Sequence, residues 1–268
     1  MIDLPNGQKI PAIGFGTWEI KPHDTVEAVT AALRAGYRLI DTAKLYGNEK
    51  QVGEAVMQSG LPREEVFVTT KLWNDDQGYE STRKALEQSL ERLGFDYVDL
   101  YLIHWPATSR RLDSWRAMNE MYDEGLIGAI GVSNFTIRHL EEIRQAKLRP
   151  PMVNQVEFHP YIYTDQQKLL NYCYDHNIVV EAYSPLARGG IDHPEVDAIA
   201  EEIGRSQAQV LLRWSIQHGT IPLPRSTSAQ HIKDNIEVFD FELSAEMMNR
   251  LNKLSVGRRV TWDPAKMS

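Results

Sequence analysis

The chain has 268 residues, 42% of them hydrophobic and 25% charged, with a formal net charge of −8 and one cysteine, Cys173. This composition is typical of a globular protein, excludes a disulfide framework and argues against a general nucleic-acid surface. Because the N-terminus is polar and no apolar stretch reaches the roughly 18 residues of a membrane span, we expect a cytoplasmic protein with no membrane partner.

Short β-rich apolar runs alternate with amphipathic helical patterns along the whole chain. This alternation is typical of βαβ units that build a parallel sheet. No Pro-, Ser- or Gly-rich linker interrupts it, so the sequence predicts a single domain over residues 1–268, folded as an α/β protein of the (β/α)8 TIM-barrel class. The eight predicted barrel strands are residues 13–17, 37–41, 66–71, 98–104, 127–133, 152–155, 178–183 and 220–223.

The two ends of the chain carry additions to the barrel. Asn6-Gly7, at the centre of residues 4–11, predicts a β-hairpin with a two-residue turn that caps the bottom of the barrel. Ser228 and Ser244 are typical N-caps and predict extra C-terminal helices. The other predicted helix ends are capping boxes at Asp24 with Glu27 and at Thr164 with Gln167, and glycine stops at Gly36, Gly94 and Gly125.

Polar side chains stand at the predicted ends of the barrel strands, where barrel enzymes place their functional groups. A single polar residue at a strand end is usually structural. This rim, however, would bring together a carboxylate, an ammonium, an imidazole and a phenol. Around one cavity, these four groups could act together in proton transfer. The residues concerned are Asp41, Lys71, His104, Ser133, Asn134, Gln155, Tyr183 and Ser184, with Tyr46 in the loop after the second strand.

Tyr46 is the candidate proton donor of this rim. A free tyrosine has a pKa of about 10, and a nearby cation such as Lys71 would lower it by stabilising the phenolate. Asp41 would supply the counter-charge that keeps a buried lysine protonated. His104 would hydrogen-bond a substrate oxygen. A proton donor aimed at a carbonyl is half of a carbonyl reduction, and the other half is a hydride from a cofactor.

A series of motifs then occurs in fixed order, and through it the chain resembles the aldo-keto reductases along nearly its whole length. The resemblance implies that Asp41, Tyr46, Lys71 and His104 form a catalytic tetrad with Tyr46 as general acid. By length and by residues 73–78, the chain is most similar to microbial members of the 2,5-diketo-D-gluconate reductase type. The motifs are GFGTW (14–18), LIDTA (39–43), YGNE (46–49), TKLW (70–73), DLYLIHWP (99–106), GVSNF (131–135), NQ (154–155) and YSPL (183–186).

The resemblance also implies a bound nicotinamide cofactor. In that family, the residue matching Tyr183 stacks on the nicotinamide, and those matching Ser133, Asn134 and Gln155 hydrogen-bond its carboxamide. Independently, the loops after strands seven and eight of a barrel are expected to hold phosphate. The implied cofactor residues are Gly16, Thr17, Trp18, Asp41, Ser133, Asn134, Gln155, Tyr183, Ser184, Leu186, Arg225, Ser226, His231 and Asn235.

The chain departs from the family pattern after the eighth strand. The family usually has a lysine and, a few residues later, an arginine, which grip the adenosine 2′-phosphate. This chain has Arg225 and His231 in their place. Arg225 can bind a phosphate, but His231 is mostly neutral at pH 7. We therefore expect NADPH to be preferred by a reduced margin, with NADH also accepted.

The expected substrate is a small carbonyl compound: an aldehyde, a dicarbonyl or a keto-sugar. Trp18, Trp73 and Trp105, with His104, are the predicted substrate-binding residues, and no metal site is expected because the histidines lack zinc-ligand spacing. We expect a monomer. Two other functions remain open: a barrel aldolase with Lys71 as a Schiff-base lysine, and a nucleotide-binding regulatory barrel without significant turnover.

Overall fold

The computed structural model describes residues 1–107 and 109–266. Eight parallel strands form a nearly closed barrel, in which each strand pairs with the next along the chain. The first and last strands meet through two backbone hydrogen bonds, from Gly14 N to Pro222 O (3.0 Å) and from Gly16 N to Pro224 O (2.9 Å). The predicted (β/α)8 barrel is confirmed. Its strands are β3 Phe15–Gly16, β4 Leu39–Asp41, β5 Phe67–Leu72, β6 Val98–Ile103, β7 Ile127–Ser133, β8 Val153–Glu157, β9 Val179–Tyr183 and β10 Thr220–Leu223.

Helices follow every barrel strand, and two of them come after β10 as predicted. The α-helices are α1 Pro22–Ala35, α2 Glu49–Gln58, α3 Tyr79–Leu93, α4 Arg111–Asp123, α5 Ile137–Gln145, α6 Tyr163–Asp175, α7 Pro194–Ile203, α8 Gln207–Gln217, α9 Ala229–Ile236 and α10 Ala245–Asn252. Short 3-10 helices are Lys44–Tyr46, Arg63–Glu65, Asn74–Asp76, Pro160–Ile162, Ala187–Gly189 and Pro264–Lys266. No helix of the described chain is both long and apolar enough to cross a membrane.

The N-terminal hairpin is present, but its turn differs from the predicted one. Strands β1 (Ile2–Asp3) and β2 (Lys9–Ile10) are antiparallel. The Leu4 N–H donates to Gln8 O (2.8 Å), which encloses three residues rather than two. Pro5 explains the difference, because its fixed negative φ fits the first corner of a type I turn and not the type I′ turn of a two-residue loop.

The hairpin contacts the bottom of the barrel. Asn6 Nδ2 donates to Gly128 O (2.9 Å) near the start of β7, and Leu4 and Ile10 are buried in the core. The amino ends of the strands are thus covered, and the carboxyl ends are left for a cavity.

Two predicted capping boxes are wrong. Helix α1 begins at Pro22, before Asp24, because proline has no N–H and its fixed φ suits the first helical position. Helix α6 begins at Tyr163, so Thr164 lies inside its first turn, where Ser255 Oγ accepts the Thr164 N–H (3.0 Å). A partner far along the chain therefore replaces the local cap.

The remaining predicted helix ends agree with the structure. Gly36 and Gly94 adopt the left-handed conformation at the ends of α1 and α3. Gly125 follows the C-cap of α4 with φ of 81°. Ser228 and Ser244 accept backbone N–H groups of α9 and α10.

Gly53 provides a test of the helix packing around the barrel. It lies in α2 against the end of α3, and a Cβ atom there would stand 1.9 Å from Leu93 O. In most helices Gly→Ala is stabilising, but here Gly53→Ala should lower the free energy of unfolding by about 1–3 kcal/mol because two backbones must separate. Urea unfolding measures the change, with Gln58→Ala at an exposed position of α2 as control. Equal or greater stability of Gly53→Ala would contradict the close approach.

Candidate active site

A cavity of about 840 Å³ opens at the carboxyl ends of the barrel strands. Its walls contain most of the residues singled out in the sequence, and Lys71 lies fully buried beneath it. Ser226, His231 and Asn235 are not among the lining residues. The predicted residues that line it are Gly16, Thr17, Trp18, Asp41, Tyr46, Trp73, His104, Trp105, Ser133, Asn134, Gln155, Tyr183, Ser184, Leu186 and Arg225.

The four residues of the expected tetrad lie together. Lys71 Nζ donates to both carboxylate oxygens of Asp41, at 2.5 Å for Oδ1, and to the backbone Thr42 O at 2.9 Å. The same nitrogen lies 3.0 Å from the Tyr46 hydroxyl oxygen. Residues from the ends of β4 and β5 therefore form one hydrogen-bonded group with the tyrosine of the loop between β4 and α2.

The pKa of Tyr46 is raised, not lowered as the sequence suggested. Burial raises the pKa of the Tyr46 phenol well above its ordinary value, and the negative charges of Asp41 and Glu181 raise it further. The expectation already paired Lys71 with Asp41, but it left out the burial of the phenol and the effect of the nearby carboxylates on the phenolate. Tyr46 consequently keeps its proton at neutral pH, as a proton donor must.

His104 is a neutral imidazole beside the tyrosine. Burial lowers its pKa well below the ordinary value, and the Lys71 charge acts in the same direction. Its ring packs edge-on against Tyr46 and Trp73, with centroid distances of 5.7 and 5.2 Å. No described residue hydrogen-bonds either ring nitrogen, so an N–H of His104 is available to a ligand.

Asn48 connects the loops that carry Tyr46 and Trp18. Its fully buried amide donates to Thr17 O (3.0 Å) and Ile20 O (3.2 Å) and accepts from the Thr42 hydroxyl (2.8 Å). The sequence analysis did not select Asn48 as a site residue. Its place two residues after Tyr46, within the YGNE motif, was the only available signal.

The ends of β7, β8 and β9 form a polar wall. Asn134 Nδ2 donates to His104 O (3.0 Å) and to Ser133 Oγ (3.1 Å), while its Oδ1 accepts from the Tyr183 hydroxyl (2.7 Å). Ser133 Oγ in turn donates to the backbone Gln155 O (2.9 Å). Every member of this wall is therefore fixed by another, which gives the cavity a preorganised polar side.

Among the described residues, two of the three arginines that line the cavity lie on either side of Glu19. Arg188 follows β9 and Arg225 follows β10, and Glu19 lies between them, 3.4 Å and 3.6 Å away. All three side chains are more than one-third exposed, so these pairs contribute little to stability. This part of the cavity has the charge to receive an anionic group.

The C-terminal segment completes the cavity, and the sequence analysis named none of its residues as site residues. The buried Glu157 carboxylate accepts from Val260 N (2.6 Å) and from the Thr261 hydroxyl. Trp262 then packs against Trp105 with a ring distance of 5.6 Å. No local pattern signals these contacts, because they join residues more than a hundred positions apart.

The described chain has no cluster of three His, Cys, Asp or Glu side chains suited to a metal ion. Cys173 is buried, and burial raises the pKa of its thiol to about 12, which makes it unreactive.

The fold and this rim define a barrel enzyme with a buried Tyr-Lys-Asp-His group. The Aldo/keto reductase family profile matches residues 12–256. The chain belongs to the aldo/keto reductase family and is an oxidoreductase of that class, whose members generally use NAD(P)H.

Full-length relatives share nearly half of the sequence. The chain is 48% identical to the uncharacterized oxidoreductase YtbE of Bacillus subtilis, over 97% of this chain and 95% of that protein. It is 46% identical to the glyoxal reductase of Bacillus subtilis, over 99% and 96%. Among solved structures, MGS-M4, an aldo-keto reductase from a Medee basin deep-sea metagenome library, has a TM-score of 0.96 and 41% identity, with full coverage of both chains.

The hydrogen bonds between Glu157 and the C-terminal segment at Val260 and Thr261 can be tested directly. Burial alone would raise the pKa of Glu157, but hydrogen bonds from His159, Thr261 and the Val260 N–H outweigh it and keep the pKa below its ordinary value. Glu157→Gln should weaken these bonds and speed tryptic cleavage after Arg258 and Arg259 by roughly tenfold.

Mass spectrometry of timed digests at neutral pH measures the cleavage rates. Glu242→Gln, which changes an exposed carboxylate, is the control. The carboxylate form should hold the segment at neutral pH and lose its hold as the pH falls through the lowered pKa. Cleavage of Glu157→Gln at the wild-type rate would show that Glu157 does not fasten the segment.

Proposed function

We propose that this protein reduces small aldehydes, dicarbonyls or keto-sugars to alcohols with NADPH, and that Tyr46 donates the proton. The observation that carries the proposal is the assembled group of a protonated Tyr46, 3.0 Å from Lys71, and a neutral His104 at the same cavity. A phenol and an imidazole N–H on adjacent sides can both reach one carbonyl oxygen.

The cavity offers an aromatic surface, a hydrogen-bond acceptor and a close glycine that suit a nicotinamide nucleotide. Tyr183 presents an aromatic ring, and no described residue donates a hydrogen bond to the side-chain oxygen of Gln155. At Gly16 a Cβ atom would stand only 3.2 Å from Leu223 O, so a side chain there would crowd the cavity. When bound, the reduced nicotinamide supplies the hydride.

The residues of the chain position the carbonyl oxygen and protonate it. His104 and Tyr46 hold the carbonyl oxygen, and the Tyr46 proton passes to that oxygen as negative charge develops on it. An alkoxide is a stronger base than a phenolate, so the transfer is downhill despite the raised pKa of Tyr46. The Lys71 ammonium, held by Asp41, stabilises the negative charge of the Tyr46 phenolate that remains after the proton has been transferred.

The tryptophan side chains that line the cavity near Tyr46 limit the size of the substrate. Trp18 lies 4.8 Å from Tyr46 between ring centroids, and Trp73 and Trp105 line the same cavity. These indole surfaces favour a compact carbonyl compound with an apolar or flat face. A relative that shares 46% identity is named for glyoxal, a dicarbonyl, which supports this substrate class.

The other two functions have less support. A Schiff-base lysine needs a free amine, but Lys71 Nζ is fully buried and surrounded by Asp41, Thr42 and Tyr46 oxygens. Borohydride should therefore not trap substrate on Lys71. A purely regulatory barrel would not need the complete tetrad that the cavity contains.

The central prediction concerns the proton donor. Tyr46→Phe should lower kcat for NADPH-dependent reduction of methylglyoxal by roughly 100- to 10,000-fold, because the hydroxyl is lost. Its affinity for NADPH should stay near the wild-type value, since the ring remains. Absorbance at 340 nm and fluorescence titration measure the two quantities. Tyr79→Phe, at the first residue of α3, where the hydroxyl donates to Glu120 away from the cavity, is the control, and unchanged turnover in Tyr46→Phe would rule out this donor.

The cofactor preference gives a second prediction. His231 is exposed in the first turn of α9, close in sequence to Arg225, and His231→Arg would restore the second cation. The ratio of kcat/KM for NADPH to that for NADH should rise by roughly 3- to 10-fold, through NADPH alone. Lys233→Arg, which keeps its charge, is the control. A wild-type preference for NADH, or no response to His231→Arg, would contradict the proposed phosphate clamp.

A further inference from the structure

Glu181 is a fully buried carboxylic acid that the proposed reaction does not use. It lies on β9, two residues before Tyr183, and therefore shares the inward face of that strand. Its backbone pairs with Gln155 on β8 and with Ile221 on β10. Its Oε1 has no hydrogen-bond partner among the described residues, which is unusual for a buried carboxyl oxygen.

Gln155 connects Glu181 to the tetrad. Its side-chain nitrogen donates to Glu181 Oε2 at 2.9 Å and to Asp41 Oδ1 at 3.2 Å. Both hydrogens of the amide are thereby used below the cavity. The reverse orientation would turn the amide oxygen toward the Asp41 carboxylate, which would then need a proton, and toward Glu181, which would have to keep one. Asp41, and Glu181 once it is ionised, therefore favour the orientation in which the amide oxygen of Gln155 faces the cavity.

We propose that Glu181 is a positioning residue: with Asp41 it fixes the Gln155 amide so that its oxygen faces the cofactor cavity, and its ionisation distinguishes oxidised from reduced nicotinamide. The inference rests on the proposed cofactor site. A fixed amide oxygen accepts a carboxamide N–H of the bound nucleotide. A negative charge on Glu181 favours the oxidised ring, which is a cation, over the neutral reduced ring.

The ionisation of Glu181 falls in an accessible pH range. Its pKa is raised to about 8: burial and then the Asp41 charge raise it, while the Gln155 hydrogen bond and the Lys71 charge lower it in part. The charged or titratable groups coupled to Glu181 are Asp41 on β4, Lys71 on β5 and Tyr46 in the loop after β4. The residues that pair with it, Gln155 on β8 and Ile221 on β10, are uncharged, and the Glu157 carboxylate lies two residues further along β8, opposite Tyr183. Glu181 is thus protonated at neutral pH and loses its proton as the pH rises through about 8.

The test compares the dissociation constants of NADP⁺ and NADPH between pH 6.5 and about 9.5, by fluorescence titration without carbonyl substrate. The two nucleotides carry the same phosphates, so the contribution of the phosphate contacts cancels in the ratio of their dissociation constants. In the wild type, the preference for NADP⁺ should increase as the pH passes through about 8. Glu181→Gln keeps the shape and an acceptor oxygen but cannot ionise. In this variant the ratio of the two dissociation constants should therefore not change as the pH passes through about 8.

Glu181→Leu removes the acceptor as well and tests the positioning role. It should weaken NADPH binding at pH 7 by roughly 3- to 10-fold, because the Gln155 amide is no longer held on one side, whereas Glu181→Gln should stay near the wild type. Asp99→Asn is the control, since Asp99 is a buried carboxylate that bonds Arg63 and the Val68 N–H away from the cavity.

The outcomes separate this inference from the proposed function. Titration curves of Glu181→Gln that match the wild type at every pH would overturn it, and they remain measurable if Glu181→Leu does not fold. If the wild type binds both nucleotides but reduces no carbonyl compound, the proposed function fails while the titrations still decide the role of Glu181. The same pH step in Asp99→Asn as in the wild type would support assignment of the step to Glu181.

Discussion

The buried ion pair between Lys71 and Asp41 is the constraint on which the site depends. Both side chains are almost inaccessible, so each requires the other, and removal of one partner from such a pair typically costs about 3–5 kcal/mol. Burial lowers the pKa of Lys71 and raises that of Asp41, which means that the fold works against both charges. The pair is retained at this cost because it holds the ammonium 3.0 Å from the Tyr46 hydroxyl. The surrounding hydrogen bonds of Thr42, Gln155 and Asn48 keep that geometry fixed.

The barrel explains why these residues meet. Parallel strands direct their carboxyl ends to the same rim, so Asp41, Lys71 and His104 become neighbours although helices separate them in the chain. The opposite rim is covered by the N-terminal hairpin. The remaining side of the cavity is supplied by the C-terminal segment, which Glu157 fastens to the end of β8. Substrate and cofactor would therefore meet in a space bounded by the carboxyl ends of the strands and by the C-terminal segment.

The strands and the tetrad could be predicted because both depend on local patterns. Apolar runs set each strand, and a polar residue at its end marks the rim. The features that were missed depend on distant contacts. Alternation with Tyr183 places Glu181 on the inward face of β9, but only the pairing of β8 with β9 shows that it meets the Gln155 amide. Pro22 outweighs the local cap signal at Asp24, and nothing near Trp262 connects it with Trp105. The single domain over residues 1–268 and the monomeric state stay predictions.

Direct transfer of hydride to a carbonyl carbon is the central claim, and isotope labelling tests it most directly. The protein would be given methylglyoxal with NADPH deuterated at the transferable C4 position, and the product would be analysed by mass spectrometry. The account predicts one deuterium on the former carbonyl carbon of the product alcohol. It also predicts that Lys71→Met makes this product far more slowly. Consumption of the substrate without deuterium at that carbon, or equal rates for the wild type and Lys71→Met, would contradict the account.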